Sequence, residues 1–486
     1  MSLRKLLRTA LAIFLLFPFL FLVTQFKIQE LPEASEIFWA FKNTFAQALL
    51  SAIGSLILGV WASFGILNFS HGKSRLRLLL EVLCLVPSFL PPLFIILSVL
   101  NIVDPFPVGT FGIALIHTVM NFGLVAVLFT GIVENKVGGV AELSLVEGAG
   151  RWQFLSKGLL PMLKKDLWLL GLFVFVVCFG SFSVPLIVGG GKGTTIEVLI
   201  YEKIRLSGDW SGAVFLAALQ SLFIFALSLI VGGAKGSSNR PFANLSIVRM
   251  RSGIAIIIAV SLMYITGYFQ GLIAGFGMMS TLYEYQSSLA WSFLGSLFIG
   301  LTTGILCYVC LMLIAYCWPK AWFDKFLNGY VAPSTSLACF ALLILSPNEG
   351  IYPFIKIPVA MLLLSLNGLF RMGWDSELRG LESQLNVAYA MGASPSQIFQ
   401  EVMFPQISPK AGVLAGIGAV WACGDFAVSR ILAHRDLSIA MMTETLMSGY
   451  RLNQATVLSL LIVVAGLICF ILCVGGSRVL RRKFTP

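Results

Sequence analysis

The chain has 486 residues, of which 58% are hydrophobic and 11% are charged, and its formal net charge is +11. Soluble domains average about 25% charged residues, so this composition excludes an ordinary soluble globular protein. Apolar runs of about 18 or more residues recur along the chain, and each is long enough to cross a bilayer as a helix. The composition therefore predicts an all-α polytopic membrane protein that is surrounded by lipid.

Twelve membrane spans are predicted in chain order. The first follows Arg4 and Lys5, and we interpret it as a retained span because no small-x-small cleavage site of a signal peptide follows it. Most basic residues fall in alternate loops, which by the positive-inside rule places both termini in the cytoplasm. The net charge therefore indicates topology and not a nucleic-acid partner. The predicted spans are 6–24, 44–67, 78–101, 110–133, 166–189, 212–232, 252–274, 288–314, 333–347, 354–372, 411–433 and 455–477.

The sequence contains an internal duplication. With a shift of 244 residues, Glu147–Pro161 aligns without a gap with Met391–Pro405, and Gly180–Ile187 continues in the same register onto Gly424–Ile431. Apolar helices match one another by chance, but glycine, glutamine and proline matches that hold one register across a loop and the next helix do not. The alignment therefore predicts two repeats of similar fold.

Each repeat is predicted to hold six spans that face the same way, related by an axis along the membrane normal. The first repeat covers residues 1–238 and carries a polar loop at about 134–165. The second covers residues 239–486 and carries a polar loop at about 373–410. A joint rich in small and basic residues, 232–251, connects them.

Each polar loop is predicted to contain a short helix. In the second repeat, Ser394 and Gln397 have the spacing of a capping box, and Pro395 occupies the first helical position. Gly392 permits the sharp turn before this helix, and Pro405 and Pro409 are predicted to end it.

The first repeat has a weaker version of the same helix. There Gly150 is the cap, Gln153 takes the third position, and Pro161 is predicted to end the helix.

Both short helices carry an apolar face, which on a cytoplasmic loop predicts a surface for docking another protein. The alternative is a helix that lies in the lipid headgroup layer, which should carry basic residues on its polar face. The second copy has Gln397, Gln400 and Glu401 there instead. The residues of the two faces are Ile398, Phe399, Val402 and Met403 in the second repeat and Phe154, Leu155 and Leu159 in the first.

The two loops resemble the cytoplasmic signature of binding-protein-dependent ABC importer permeases, which runs Glu-Ala-Ala, a glycine, and an aliphatic residue near Leu-Pro. The glycine-to-proline spacing is right in both copies, but the Glu-Ala-Ala triplet is degraded in both, and the second has Asn386 in place of the acid. The resemblance implies a MetI-like permease fold whose loops insert coupling helices into a separate ATPase subunit. The implied coupling residues are Glu142, Gly148, Gln153, Phe154 and Pro161 in the first loop and Ala388, Gly392, Ser394, Gln397, Phe399 and Pro405 in the second.

The same resemblance implies partners and a location. These are two copies of an ABC ATPase that carries ATP and Mg, an extracytoplasmic substrate-binding protein, and the bacterial cytoplasmic (inner) membrane. Two such loops in one chain resemble fused permeases, the thiamine type most and the ferric-iron type next, and Cys178–Ile204 and Gly424–Val428 are similar to the thiamine type. The glycine- and lysine-containing stretches 72–74 and 189–195 lack the spacing of a phosphate loop, so we expect no nucleotide site, metal or other cofactor in this chain.

Polar side chains within the predicted spans are candidates for the substrate path. A carboxylate inside the bilayer is costly, so Asp425 should face a cavity or a partner. It either lines the path, where it would tolerate a cationic substrate, or satisfies a neighbouring helix or loop amide. Arg430 lies five residues later, and Ser181 holds the place of Asp425 in the first repeat.

His117 and Asn121 form a second candidate, one helical turn apart on the fourth span. They either contact the ligand or make a packed interhelical hydrogen bond.

Two other classes of function are compatible with many spans. A twelve-span secondary transporter would need no docking helices and would carry more ionisable groups inside its spans. A membrane-embedded enzyme would need clustered histidines, cysteines or carboxylates, whereas this chain has three scattered histidines. The sequence therefore favours a transport subunit that is not itself an enzyme.

Overall fold

A computed structural model describes residues 3–25, 32–69, 75–231, 245–278, 286–318, 322–323, 326–327, 334–345, 350–433 and 436–484. Within these ranges the chain is helical and contains no strand. Most of the predicted joint, residues 232–244, and the excluded phosphate-loop stretch at 72–74 lie outside the described residues. The longer helices, with our numbering, are α1 (Leu3–Gln25), α2 (Ala34–Ile66), α3 (Arg75–Phe89), α4 (Pro92–Leu100), α5 (Thr110–Lys136), α6 (Gly138–Val146), α7 (Arg151–Gln153), α8 (Leu160–Phe179), α9 (Ser183–Val188), α10 (Ile196–Arg205), α11 (Trp210–Val231), α12 (Arg251–Phe276), α13 (Gln286–Cys317), α14 (Thr335–Leu345), α15 (Tyr352–Leu369), α16 (Asp375–Gly380), α17 (Glu382–Ala390), α18 (Pro395–Gln397), α19 (Phe404–Gly424), α20 (Ala427–Leu432), α21 (Ile439–Ser448) and α22 (Leu452–Phe484).

The described residues also contain 3₁₀ and π-helical segments. Two are 3₁₀ turns, Leu67–Phe69 and Ser246–Val248. Three are π-helical, namely Phe154–Leu159, Phe370–Trp374 and Ile398–Met403.

Within the described ranges, eight helices are long and apolar enough to cross a membrane, or nine if the bent pair α3 and α4 counts as one span. This confirms the predicted fold class of an all-α, multi-pass membrane protein. The eight are 34–69, 110–136, 210–227, 251–276, 286–317, 352–369, 395–424 and 452–482.

Within the described residues, length and composition identify eight or nine of the predicted twelve spans, and local features explain some of the others. α14 has 11 residues and is too short to cross a bilayer core of about 30 Å alone. α8 carries Lys164, Lys165 and Asp166 in its second turn, so its apolar run is shorter than the helix. The predicted straight span 78–101 bends by 99° between α3 and α4, where two prolines follow each other.

The chain forms two compact units. One consists of 1–32, 199–222 and 275–486, and the other of 33–198 and 223–274. α1 therefore belongs to the unit that holds the second loop, and most of α12 belongs to the unit that holds the first loop. The first helix of each predicted repeat thus folds with the other repeat, while the repeat boundaries at 238 and 239 stay a prediction.

The unit with the second loop has a continuous apolar core. Leu11 and Leu15 of α1 pack with the C-terminal half of α13, with α15 and α19, and with Ile398 and Met403 of the second loop. Arg8 of α1 is buried and donates from Nε to the Cys317 carbonyl over 2.8 Å, where α13 ends. The second loop is therefore built onto the same core that holds α1.

The unit with the first loop relies on close packing of small residues. Gly65 of α2 lies against the backbone of Gly253 in α12, and no room is left for a Cβ atom at either position. Such close approach between helices is typical of packing in membranes. α12 is therefore held on α2 by backbone contact, and it brings the segment before it close to the first loop.

Candidate functional site

The two loops have the same backbone path. We define the first loop as residues 137–161 and the second loop as residues 381–405. In each, a nine-residue helix, α6 or α17, runs into a turn and then into a second helix, α7 or α18. Gly148 and Gly392 occupy the turns with φ values of +70° and +81°. Since L side chains rarely adopt such angles, both glycines fit the predicted sharp turn.

The helix start in the second loop agrees with its predicted capping box. The Ser394 side chain accepts a hydrogen bond from the Gln397 backbone N–H, and the Gln397 side chain accepts one from the Ser394 N–H over 2.9 Å. Pro395 occupies the first helical position. In the first loop Gly150 is the cap and has no side chain to bond the backbone.

The prediction that Pro161 and Pro405 end their helices is wrong, and so is the same prediction for Pro409, which lies inside α19. Helical backbone runs from Arg151 to Phe179 and from Pro395 to Gly424, through both prolines. A six-residue π-helical segment precedes each proline, and its hydrogen bonds span five residues, as from the Phe404 N–H to the Phe399 carbonyl. A proline lacks the N–H of an i→i−4 bond, and the wider turn lets the next residue bond that carbonyl instead.

The prediction of an exposed apolar face on these helices is also wrong. Phe154 and Leu159 are buried, and Ile398 and Met403 are buried in the core of their own unit. Phe399 is half-buried, with its ring 5.3 Å from the Tyr316 ring in an edge-to-face contact. The four buried residues therefore anchor the loops and are not available to a partner, whereas Phe399 is only partly covered.

Trp152 of α7 is 68% exposed, and further exposed apolar residues lie on the preceding helices. Leu143 of α6 and Val387 of α17, which the 244-residue shift superimposes, are each 60% exposed. Val146 is 83% exposed and Met391 is 82% exposed beside the two turns. These four positions are not among the predicted coupling residues, although Leu143 and Val387 each directly follow the position of the signature acid.

The remaining predicted residues of the loops surround these exposed side chains. Glu142, Gln153 and Gln397 are exposed, and Ala388 is half-buried against the core. Pro161 is exposed, whereas Pro405 is buried. The two loops thus present polar and apolar side chains together on α6 and α17.

His117 and Asn121 belong to a buried polar cluster in the unit with the first loop. The His117 ring nitrogens lie 3.0 Å from Gln47 Oε1 and 3.0 Å from Ser181 Oγ. Asn121 donates to the His117 carbonyl over 2.8 Å, and Gln47 donates to the Cys178 carbonyl over 2.8 Å. The cluster links α2, α5 and the end of α8, which fits the interhelical alternative for His117. Asn121 also lies 3.6 Å from Cys178 Sγ of α8 through its Nδ2, so it makes one contact within its own helix and one to a neighbouring helix.

Asp425 lies where the second repeat breaks its fifth predicted span, between α19 and α20. Its Oδ1 accepts a hydrogen bond from the Val428 N–H over 2.7 Å, so the carboxylate caps α20. Arg430 lies 3.7 Å from Glu444 of α21. A similar break separates α8 from α9 around Ser181. The two broken helices thus place Ser181 and Asp425 in equivalent positions, as the repeat predicts.

The comparisons with known proteins agree with two repeats. The family described as "Binding-protein-dependent transport system inner membrane component" matches residues 55–234 and again residues 312–484. The thiamine transport system permease protein ThiP of Escherichia coli is 28% identical over 205 residues, which cover 38% of this chain and 38% of that protein. The protein of the same name from Haemophilus influenzae is 32% identical over 122 residues, covering 25% of this chain and 22% of that protein.

A relative from outside the thiamine group matches as well. The probable transport system permease protein NifC of Clostridium pasteurianum is 27% identical over 206 residues, covering 39% of this chain and 70% of that protein. The chain therefore aligns with less than two fifths of the length of the E. coli thiamine relative.

Proposed function

The chain belongs to the binding-protein-dependent family of inner-membrane transport components. We propose that separate ATPase subunits bind α6 and α17 and drive transport through this chain. The chain is a multi-pass permease of an ABC importer. In our proposal two ATPase copies bind it, one at each loop, and carry the ATP and Mg. A substrate-binding protein delivers the solute on the other side, and both termini lie in the cytoplasm.

The observation that carries this proposal is the pairing of the two exposed helices. Leu143 and Val387 occupy the same repeat position and are equally exposed, each on a helix that a left-handed glycine separates from the next. Exposed apolar side chains on polar loops favour a protein partner. Two copies of the same ATPase subunit can bind the two loops in the same way only where both loops present equivalent surfaces.

The coupling is a two-state change driven from a remote site. When the ATPases close on ATP, they move the two loops together. α8 and α19 continue from the loops as unbroken helices, so this movement reaches the helix breaks at Ser181 and Asp425. The solute path then opens alternately outward and inward, and this chain breaks no bond.

For the solute we propose thiamine or its phosphates. The thiamine permeases among the relatives support this choice, and Asp425 would suit the cationic ring of thiamine. Ferric iron, the alternative from the sequence, is an outcome of the transport test. In that test, vesicles that contain the assembled complex, its binding protein and ATP are expected to accumulate labelled thiamine. Uptake of iron, or of neither solute, would contradict the thiamine assignment.

The docking surface is tested by placing a charge on it. Leu143→Asp and Val387→Asp would each bury an unpaired carboxylate at the interface, and loss of such a central contact costs about 2 kcal/mol or more. We expect the affinity of the detergent-purified permease for its ATPase to fall by at least about tenfold, measured by thermophoresis.

Leu206→Asp is the matched control, because Leu206 is a 79% exposed leucine on the turn between α10 and α11, at the predicted opposite side. Unchanged ATPase affinity in both loop variants, or an equal loss in the control, would reject α6 and α17 as the docking helices.

A further inference from the structure

Arg4, at the start of α1, holds the second loop at its turn. Its Nη1 donates to the Tyr389 hydroxyl over 2.7 Å, and its Nη2 donates to the Pro395 carbonyl over 3.2 Å. The guanidinium carbon lies 4.9 Å from the centre of the Tyr316 ring. One side chain therefore joins the end of α17 to the start of α18, across the left-handed Gly392.

The first loop has a corresponding contact. Arg151, the first residue of α7, donates from Nε to the Ile247 carbonyl over 3.2 Å. Ile247 belongs to the 3₁₀ turn Ser246–Val248 that precedes α12, and α6 packs beside the same turn. The first loop is thus joined to the residues that lead into α12.

The repeat register shows that these are the same contact with donor and acceptor exchanged. Arg8–Ile13 of α1 aligns with Arg251–Ile256 of α12 with a shift of 243 residues, which places Arg4 on Ile247. The shift of 244 places Arg151 on Pro395. In one unit the arginine is at the start of the first helix and the carbonyl is in the loop. In the other unit the arginine is in the loop and the carbonyl precedes the first helix.

We propose that Arg4 and Arg151 are positioning residues that tether each coupling loop to the first helix of the opposite repeat. This proposal rests on the proposed function. Each tether fixes the angle at its glycine turn, and it transmits a displacement of the loop to α1 or α12. Because these helices belong in sequence to the other repeat, each motor subunit acts on both repeats at once.

The chemistry of the tether requires arginine. A guanidinium has several donors in a rigid plane, so Arg4 can bond the Tyr389 hydroxyl and the Pro395 carbonyl while its face contacts an aromatic ring. A lysine has one flexible ammonium group and reaches one of these partners at a time. Arg4 therefore makes two hydrogen bonds and one ring contact at the same time. An incidental contact of a surface arginine would not combine these three.

The test uses hydrogen–deuterium exchange on the purified full-length permease, without ATPase. We expect Arg4→Ala to lower protection of the 382–397 peptide about fivefold and to leave 138–153 unchanged. Arg151→Ala should do the reverse. Lys5→Ala and Lys157→Ala remove the same charge from neighbouring exposed positions and should change neither peptide. If Arg4→Ala fails to fold, Tyr389→Phe removes a single hydroxyl and should lower protection of the same peptide about twofold.

A second measurement separates transmission from local stability. In the reconstituted complex, Arg4→Ala should raise the ATP hydrolysed per solute imported about threefold, and Arg4→Lys should restore part of the wild-type ratio. Unchanged exchange in the Arg4 and Tyr389 variants would overturn the tether. Altered exchange with a wild-type ratio would overturn its role in transmission. Failure of the proposed function itself would be visible in the wild-type chain, as absence of ATPase binding.

Discussion

The two loops reach one backbone shape with different local chemistry. The second loop has a Ser394–Gln397 capping box and a proline at the first helical position, whereas the first has Gly150 and Arg151 in those places. Both keep a glycine in the left-handed region and a π-helical segment before a proline. The comparison teaches that the turn and the π segment specify the loop, while the cap adjusts its stability.

The two helix breaks differ in the opposite way. Ser181 and Asp425 occupy equivalent positions, but the serine contacts a buried histidine while the aspartate caps the next half-helix. The first break is thus neutral and part of an interhelical cluster, and the second carries a charge. The loops preserve geometry between the repeats, and the breaks allow chemistry to differ.

We expect the largest effect on the two loops from substitution of their turn glycines, Gly148 and Gly392. Val at position 392 or 148 would be forced into a left-handed conformation that costs roughly 1–2 kcal/mol per residue. No atom lies within 4 Å of a Cβ built at either site, so the effect comes from the backbone alone. We expect Gly392→Val and Gly148→Val each to weaken ATPase binding about tenfold while the protein stays folded, measured by affinity and by circular dichroism.

Gly380→Val and Gly131→Val are the controls for this experiment. Both glycines also have open space around a Cβ, but neither has a positive φ. Transport and ATPase binding that survive both turn substitutions would reject the coupling assignment of the loops.

The helix breaks give the next largest effect. Asp425→Asn keeps an oxygen that can cap α20, since asparagine and aspartate cap helices about equally well, but it removes the charge. If the carboxylate faces a cationic solute, loss of one charge-assisted contact of about 1.5 kcal/mol should raise the KM for uptake about tenfold. The measurement is ATP-driven uptake by the reconstituted complex at varied solute concentration.

Ser181→Ala tests the equivalent position in the first repeat, where no charge is lost. We expect its KM to change less than twofold. A wild-type KM for Asp425→Asn would limit Asp425 to its structural role as a helix cap.

Local signals in the sequence were sufficient for the start and turn of each loop. The Ser394, Pro395 and Gln397 spacing and the glycine at 392 describe contacts between near neighbours, so a pattern can identify them. The prediction that Pro405 ends its helix is wrong because a proline ends an α-helix in most contexts, and no residue pattern before Pro405 indicates a π-helical turn. The sequence shows that a proline cannot donate the i→i−4 hydrogen bond, but it does not show how the backbone compensates for the missing bond.

The docking surface could not be identified from amphipathicity. Ile398 and Met403 form an apolar face, but a face of this kind packs equally well on the chain's own core or on a partner. Leu143 and Val387 lie on α6 and α17, outside the two short helices whose apolar faces the sequence indicated as docking surfaces. The core that covers this face includes α1 and α13, which are remote in sequence, so the loop's own residues do not indicate which face is buried.

The caps give the smallest effect and sharpen the difference between the loops. Ser394→Ala removes a cap worth about 1 kcal/mol, so exchange of the amides that open α18 should accelerate about fivefold. Gly150→Ser should stabilise the start of α7 by a few tenths of a kcal/mol, because Gly150 has φ −67° and ψ 151° and room for a side chain. Hydrogen exchange measures both, with Ser383→Ala on exposed α17 as the control. If Ser394→Ala leaves exchange unchanged, the capping box does not hold the second loop, and its stability comes from the buried face and from Arg4.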